Sequence, residues 1–335
     1  MLANLKAATN AEARKLLLFF ARLYLLAAYP NLTYQFVRHL KYLPNPALPR
    51  RYHERMLWRK IVDHNPIFVD LSDKLAAKEF TRARCPELSI AQVLWTGTDP
   101  RSLPANLVAG DVVVKANHGA AFNIFVHNGK PDYATIVTSA ERWMATSFHH
   151  YYGEWGYRNV PRRILVEEKL LLGGGDLPTV IKVHMFGRQI GRVWVCDERR
   201  ERSRIYDADG APLSARGYRY SSEAQTLPDT PATRGLVAQA IELAPRLLDA
   251  LDYARVDFMV VGSRLYFGEY TFYPGAGYDV GLDPPLIQRA EALWDLRSSD
   301  FLRNPHRGLA RFYAEALRAA IDVSKPVAHQ SARSS

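Results

Sequence analysis

The chain reads as an α+β protein, with a mostly antiparallel sheet at its centre. Three observations predict this. Short apolar segments rich in Val, Ile and aromatic residues alternate with amphipathic helical ones. Apolar content of 48% and charged content of 23% are those of an ordinary globular protein. With 335 residues the chain can bury one large core or divide into two or three lobes.

The elements follow in order. A helical region is expected over 11–28 and 32–42, ending at Pro44-Asn45-Pro46-Ala47-Leu48-Pro49, with a further helix over 52–62. Ser72-Asp73-Lys74 reads as the cap and first turn of a helix reaching Arg84. Val112-Val113-Val114-Lys115 is a buried strand, followed by the turn-prone Asn117-His118-Gly119-Ala120-Ala121 and a strand over 123–126. A helix is expected over 140–151. Strands are expected over 164–172, 180–186 and 190–196, with Gly173-Gly174-Gly175 as a loop. A helix over 233–251 leads into two strands between Tyr253 and Phe272, and a closing helix spans 306–321. No internal repeat is visible, and the tail after Val323 reads as disordered.

Cys85 and Cys196 are the two cysteines, without Cys-x-x-Cys or Cys/His spacing, which argues against a disulfide scaffold or zinc site and for a reducing compartment. Of the net charge of +10, residues 1–60 carry +9, from eleven bases and two acids. No zinc-finger spacing or RNP-type aromatic strand accompanies this charge, so a nucleic-acid partner is not supported. A basic segment with an apolar stripe suits an anionic membrane surface better. The apolar run Leu16 to Ala28, interrupted by Arg22, is shorter than the ~20 residues a spanning helix needs, and no small-residue cleavage site follows it. A helix packed on the body and a peripheral membrane contact both remain open.

The segment Y-A-R-V-D-F-M-V-V-G-S-R-L-Y-F-G-E-Y-T-F from Tyr253 to Phe272 carries the most information. Arg255 and Asp257 share one face of their strand, as do Glu269 and Thr271 of theirs. A strict two-residue loop at Gly262 and Ser263 sets Asp257 opposite Gly268 and turns Glu269 away. A longer loop, or a bulge between Val261 and Leu265, sets Asp257 opposite Glu269 and Arg255 opposite Thr271. Facing carboxylates repel unless a cation lies between them; Arg255 supplies part of that charge and a hard divalent ion would supply more. Val256, Phe258, Val260, Tyr266, Tyr270 and Phe272 are expected on the apolar face, with Phe267 on the carboxylate side. A solvated surface hairpin is the alternative.

Lys115 ends an apolar strand before a small-residue loop, where a phosphate would offset the cost of an unpaired ammonium. Glu167 and Glu168 close an apolar strand whose edge suits an adenine ring, with a glutamate taking the exocyclic amine. Lys182 lies inside Thr179-Val180-Ile181-Lys182-Val183. Lys74, Lys115 and Lys182 with one carboxylate pair describe a nucleoside triphosphate and its magnesium. There is no G-x-x-x-x-G-K-[ST] loop, no G-x-G-x-x-G fingerprint, no kinase catalytic loop and no G-x-S-x-G elbow.

In this order the motifs resemble the ATP-grasp superfamily, within it the group related to the teichuronopeptide biosynthesis protein. The resemblance covers about residues 60–280. It rests on Asp73-Lys74 with Lys78, Val114-Lys115-Ala116-Asn117-His118-Gly119, Pro161 to Glu168, Lys182 with Phe186-Gly187, Arg255-Val256-Asp257-Phe258, and Phe267-Gly268-Glu269-Tyr270-Thr271-Phe272. It implies an ATP-grasp fold of two α+β lobes holding ATP between antiparallel sheets, with an N-terminal helical extension. The implied divisions are a basic helical segment (1–62), an N-terminal part of the ligase region (63–110), a small lobe (111–170), a large lobe with the metal site (171–323) and a disordered tail (324–335).

The resemblance also implies roles. Lys74 and Lys115 match the lysines that reach the ATP phosphates, with His118 and Gly119 in the flap over them, and Lys182 matches a further base near the terminal phosphate. Glu167, Glu168 and Leu170 fall in the hinge for adenine and ribose. Asp257 and Glu269 match the Mg²⁺ ligands, and Thr271 stands where many members carry asparagine. Ala120 and Ala121 make the flap poor in glycine. The implied reaction joins a carboxylate to an amine through an acylphosphate, with Arg255, Lys115 and Lys182 offsetting charge. The arginines at 199, 200, 202 and 204, and those at 158, 162 and 163, would mostly form a solvated face, and they also suit an acidic acceptor. The implied partners are ATP, an amino acid and a uronic-acid-containing glycan of a bacterial polysaccharide, in the cytoplasm at the inner face of the plasma membrane. A polysaccharide glycosyltransferase and a non-catalytic ATP-binding module are the alternatives; against the former, the extra lysines suit a triphosphate better than a diphosphate sugar.

Overall fold

The computed structural model describes residues 2–172, 179–197, 201–213, 225–248, 251–279 and 283–323. The expected glycine loop at 173–175, Arg199 and Arg200, and the expected tail after Val323 lie outside them.

Helix α1 (Leu2–Ala28) bends at Tyr29 into α2 (Pro30–Leu40), with Pro30 opening the second helix where a missing N–H costs nothing. The apolar run packs on the body along one side only. Leu18 is buried and Leu17 and Leu25 pack beside core clusters, yet Leu16, Phe19, Phe20 and Leu23 of the same helix stay exposed. Among the described residues no single helix is long and apolar enough to cross a membrane; only α1 from Asn10 together with α2 passes that test, as a pair bent by 95°.

Helix α3 (Tyr52–Ile61) is buried over nearly its whole length, its first turn closed by Glu54, which accepts from the Arg50 and Arg51 amides at 3.0 and 3.1 Å. Two of its bases, Arg59 and Lys60, are buried and so do not belong to a basic outer surface. Arg59 is fully buried, bonds Asp252 at 2.5 Å, and donates to the Tyr253 and Phe272 carbonyls at 2.9 and 3.3 Å. Asp252 is held from its other side by the Trp294 indole at 2.6 Å. The N-terminal segment thus clamps both ends of the 253–272 hairpin.

Helix α4 (Ile67–Ser72) passes directly to α5 (Lys74–Arg84), capped as expected by Asp73, whose side chain accepts from the Leu75 amide. Strand β1 (Ser89–Ile90) joins one sheet and β2 (Val93–Gly97) another, so residues 63–110 are shared between lobes instead of forming a separate unit. Then come β3 (Val112–Ala116) and β4 (Asn123–Phe125), helices α6 (Tyr133–Ala145) and α7 (His149–Tyr152), and β5 (Ile164–Glu168). The single helix expected over 140–151 is therefore two, separated where Thr146 turns extended. Strands β6 (Val180–Phe186), β7 (Gln189–Cys196), β8 (Ser203–Tyr206) and β9 (Pro212–Leu213) precede α8 (Pro231–Leu247). Strands β10 (Ala254–Val261) and β11 (Arg264–Thr271) form the hairpin, and α9 (Pro284–Leu293), α10 (Asp300–Arg303) and α11 (Gly308–Val323) close the chain.

Among the described residues the strands form two sheets, β1-β11-β10-β6-β7-β8-β9 and β2-β5-β3-β4. Every strand pair within them is antiparallel except β1 with β11. One face of the larger sheet packs on α4, α5 and α8 through residues such as Phe68, Ala77, Val237 and Ala240. The smaller sheet has its own core with α6, from Val114, Val166, Ile136 and Trp143. Two lobes with two cores match the expected architecture.

The hairpin keeps a two-residue turn, Gly262 and Ser263, with Val261 paired to Arg264 and Gly262 at φ +58°. Asp257 nevertheless lies opposite Glu269, and Arg255 opposite Thr271. The extra residue is Gly268, so the bulge sits beside Asp257 and not between Val261 and Leu265. The shift also corrects the expected faces: Leu265 and Phe267 join Val256, Phe258, Val260 and Tyr270 in the core, while Tyr266 is only partly buried. A Cβ on Gly268 would lie 2.7 Å from the Asp257 carbonyl oxygen. Gly268→Ala is therefore expected to lower stability by about 1–3 kcal/mol in urea denaturation, as overpacking does. A smaller loss would show that the bulge tolerates a side chain.

Candidate active site

The face of the larger sheet opposite α4, α5 and α8 carries two rows of mostly buried polar side chains that run across four strands. In the first, Trp194, Lys182, Asp257 and Glu269 are register partners; in the second, Arg192, His184, Arg255 and Thr271. Residues in register share a face, so the antiparallel sheet assembles residues far apart in sequence.

Arg255 grips Asp257 with both prongs, Nε to Oδ1 and Nη2 to Oδ2, each at 2.6 Å. Its Nη2 also donates to Thr271 Oγ1 at 3.1 Å and lies 3.9 Å from Glu269 Oε1. Burial works against the guanidinium's charge, but Asp257 and Glu269 outweigh it and raise its pKa above the ordinary value. The expected cation between the facing carboxylates is thus Arg255 in this structure. Thr271 donates to Glu269 Oε1 at 3.3 Å, so its hydroxyl links arginine to glutamate. Lys182 Nζ lies 3.9 Å from Asp257 Oδ2 and 4.7 Å from the Trp194 ring centre. His184, against the Tyr253 hydroxyl at 3.0 Å, is held well below its ordinary pKa by burial and then by Arg192, Arg255 and Lys182. It is therefore neutral.

The smaller sheet presents the other lysines. Lys115 and Glu167 are diagonal neighbours on β3 and β5, and Lys115 Nζ meets Glu167 Oε2 at 2.6 Å. Lys78 reaches the second oxygen, Oε1, at 3.1 Å and donates to the Ala91 carbonyl at 3.1 Å. Burial pushes the Glu167 carboxyl up, but Lys115 and Lys78 pull it down further and keep it ionised. Of the expected hinge residues, Glu167 is thus turned into the lobe on two lysines. Glu168 accepts from the Gln92 amide at 2.8 Å, and Leu170 lies in the partly buried stretch beyond the strand.

Lys74 stands between the lobes. Its ammonium donates to the Gly119 carbonyl, and burial brings it down to about 8, with Glu269 raising it and Lys115 lowering it. His118 is buried, its Nε2 against the Trp143 carbonyl at 3.0 Å, and a Cβ on Gly119 would meet Phe122 at 2.7 Å. Asn117 ties this loop together: its amide donates to Asp73 at 2.9 Å and the Pro161 carbonyl at 2.8 Å, and its oxygen accepts from the Arg163 amide at 2.8 Å.

Several residues here carried no separable sequence signal. His184 and Arg192 read as ordinary strand residues, and only the pairing with β10 reveals their face. Glu154 is isolated in sequence; it is buried, its carboxyl pushed up to about 7 by burial, with Lys60 lowering it and Glu269 raising it. Lys60 donates to the Ala276 carbonyl at 2.7 Å and lies 4.4 Å from the Tyr278 ring centre. The Gly275-Ala276-Gly277 turn beyond β11 is left-handed at all three residues.

The oxygens of Asp257 and Glu269 make a hard donor set, and no hydrogen bond from the described residues occupies Glu269 Oε2. Among the described residues no group of three or more His, Cys, Asp or Glu side chains could hold a metal ion. Two carboxylates are the set that Mg²⁺ takes when substrate phosphates complete its shell, so the residues fit that ion.

A family model described as TupA-like ATPgrasp matches residues 54–283. The chain belongs to the TupA-like ATP-grasp family. That match begins inside α3 and runs past β11, so it includes the Arg59 clamp as well as both sheets. No curated protein matches. Among solved structures, a D-alanine–D-alanine ligase from Bacillus anthracis complexed with ATP is 15% identical at a TM-score of 0.41, over 76% of this chain and 66% of its own. A D-alanine–D-alanine ligase from Helicobacter pylori is 13% identical at 0.40, over 67% and 61%. The macrocyclase MdnC of Microcystis aeruginosa is 15% identical at 0.36, over 72% and 67%. The chain spans just under two thirds of the length of the two D-alanine–D-alanine ligases.

The Glu167 pair generates a pH prediction. Its folded pKa lies below the unfolded one, so its contribution is present above the unfolded value of about 4.3 and is lost as pH falls through the folded value. Glu167→Gln leaves Lys78 and Lys115 without their shared counterion. At pH 7 this should cost about 3–5 kcal/mol in denaturant unfolding. The gap to the parent should narrow below about pH 4, and a gap independent of pH would refute the ionised pair.

Proposed function

We propose that this ATP-grasp protein is an ATP-dependent carboxylate–amine ligase that acts in the cytoplasm on bacterial capsular or cell-surface polysaccharide. The observation that carries this reading is the placement of Lys182 and Arg255 beside the Asp257–Glu269 pair, with Lys74 between the lobes, where it feels Glu269 of the larger sheet and Lys115 of the smaller. Such a field suits a polyphosphate.

In this reading the substrate carboxylate attacks the γ-phosphorus of ATP, the bond to the β-phosphate oxygen breaks, and ADP leaves. The acylphosphate is then attacked by an amine, which loses a proton as phosphate departs with the acyl C–O bond. Lys115, Lys74 and Lys182 bind and orient the phosphates, Arg255 offsets charge on the transferred group, and the 118–121 loop lies over them with Gly119. Glu168 and Leu170 border the adenine. Asp257 and Glu269 would hold Mg²⁺, which when bound draws electron density from phosphate oxygens. The acceptor pair is an amino acid and a uronic-acid glycan, a reading that rests on the motifs' resemblance to the teichuronopeptide group and on the chain's basic charge.

A second reading has one specific support: both Asp257 oxygens are already taken by Arg255, as suits a module that binds ATP without turning it over. Phosphate release that requires both a carboxylate and an amine, in a malachite-green screen of amino acids with uronic-acid glycans, separates the two. Asp257→Asn and Glu269→Gln should each abolish that release; the half-exposed Glu269→Gln should keep the thermal midpoint within a few degrees of the parent, whereas Asp257→Asn, which leaves buried Arg255 without its counterion, should lower it, and equal turnover in either variant at saturating magnesium would remove the metal assignment. Lys115→Ala should weaken ATP binding about tenfold or more by calorimetry, the scale of one charge-assisted phosphate contact. Unchanged affinity would take Lys115 off the phosphates.

A further inference from the structure

The outer side of α1 is apolar and uncovered. Leu16, Phe19, Phe20 and Leu23 recur at the spacing of one helical face, and they are 57%, 53%, 61% and 48% exposed. The opposite side is where Leu18 is buried, so the helix is anchored by one apolar side and presents a second to its surroundings. Tyr24 extends this surface, and α2 continues it beyond the 95° bend with exposed Tyr34 and Val37, while Leu32 and Phe36 face inward. Helix α11, which packs along α1, adds exposed Leu309 and Phe312. Scattered apolar residues need no explanation, but four on one face of α1, with more exposed on the two helices that pack beside it, mark a docking surface.

Charge selects the occupant. Arg14, Lys15, Arg38 and Lys41 are exposed on or beside α1 and α2, and Arg307 beside α11, whereas Glu12 is the acid on the described part of α1 and is paired with Lys15 at 2.7 Å. A second copy of this chain would bring these cations against their own kind. A surface that is apolar within and negative at its rim meets both features. We infer that α1, α2 and the start of α11 form a peripheral membrane-docking face that lies on an anionic lipid surface, with the aromatic and leucine side chains among the acyl chains and the bases at the headgroups. The inference goes beyond the proposed reaction and does not depend on it.

Flotation of the full chain with vesicles tests this. Binding is expected to vesicles of phosphatidylcholine mixed equally with phosphatidylglycerol, and to be weak with phosphatidylcholine alone and at high salt. The double variants Phe19→Glu/Phe20→Glu and Arg38→Glu/Lys41→Glu should each lose binding about tenfold or more, the first at any salt and the second chiefly at low salt. All four positions are exposed, so circular dichroism should be unchanged. Parent-like flotation of the Phe19/Phe20 variant, or no flotation of the parent with anionic vesicles, would overturn the inference. A concentration-dependent dimer abolished by the same phenylalanine variant, without vesicle binding, would assign the face to a second copy.

Discussion

The structure depends on a single extra residue. With a two-residue turn at Gly262 and Ser263, a regular ladder would turn Glu269 toward the core and Tyr270 toward the cationic face. The bulge at Gly268 advances β11 by one residue between Phe267 and Glu269, so apolar side chains point inward before it and after it. The core on one side and the carboxylate pair on the other are therefore the same constraint seen from two faces. Only glycine suits the position, since its neighbour across the ladder is the Asp257 backbone itself.

A hairpin that carries two carboxylates needs support at its open end, and that support comes from far away in sequence. Arg59 on α3 bonds the carbonyls that precede β10 and follow β11, and Asp252 and Trp294 complete the arrangement. A buried guanidinium is tolerable because its charge is paired and its donors reach oxygens; the ring faces of Phe68, Tyr253 and Trp294 pack around it at 4.9, 5.3 and 4.8 Å. The N-terminal segment is thus divided in purpose. Its last helix belongs to the site's scaffold, and its first two form a ledge with an uncovered apolar side.

Much of this was legible because local patterns and tertiary demands agree. Strand β6 over 180–186 and the Asp73 cap of α5 follow from alternation and capping chemistry, neither of which needs distant context, whereas alternation leaves two registers open for Asp257 and the bulge selects the one opposite Glu269. What escaped depends on distance. The bulge was placed near the turn because turns commonly set register, whereas here a close backbone approach sets it. Arg59 and Lys60 look like any bases on an amphipathic helix until Asp252 and Ala276 come to meet them. Glu167 is expected at the adenine hinge, yet Lys78 and Lys115 from two other elements hold it inside the lobe. His184 and Arg192 become site residues only through register across three strands.

The charge balance of the larger sheet's polar face has a physical consequence. Lys182, Arg192 and Arg255 are buried there beside Asp257 and the half-exposed Glu269. Burying like charges together is costly, and His184 escapes that cost by staying neutral. Arg255 cannot, because a guanidinium does not give up its proton; it is stabilised instead by two short bonds to Asp257 and one to Thr271. Among the described residues of the two rows, Asp257 and Glu269 are the carboxylates set against Lys182, Arg192 and Arg255. A polyanion drawn into this field would relieve repulsion that the fold already sustains, and the hydrogen-bond donors it meets would need little rearrangement. This is the sense in which a preorganised site favours developing negative charge. Replacing Thr271 with a longer polar side chain would disturb Arg255 before it touched any ligand, since its hydroxyl is the link between that arginine and Glu269.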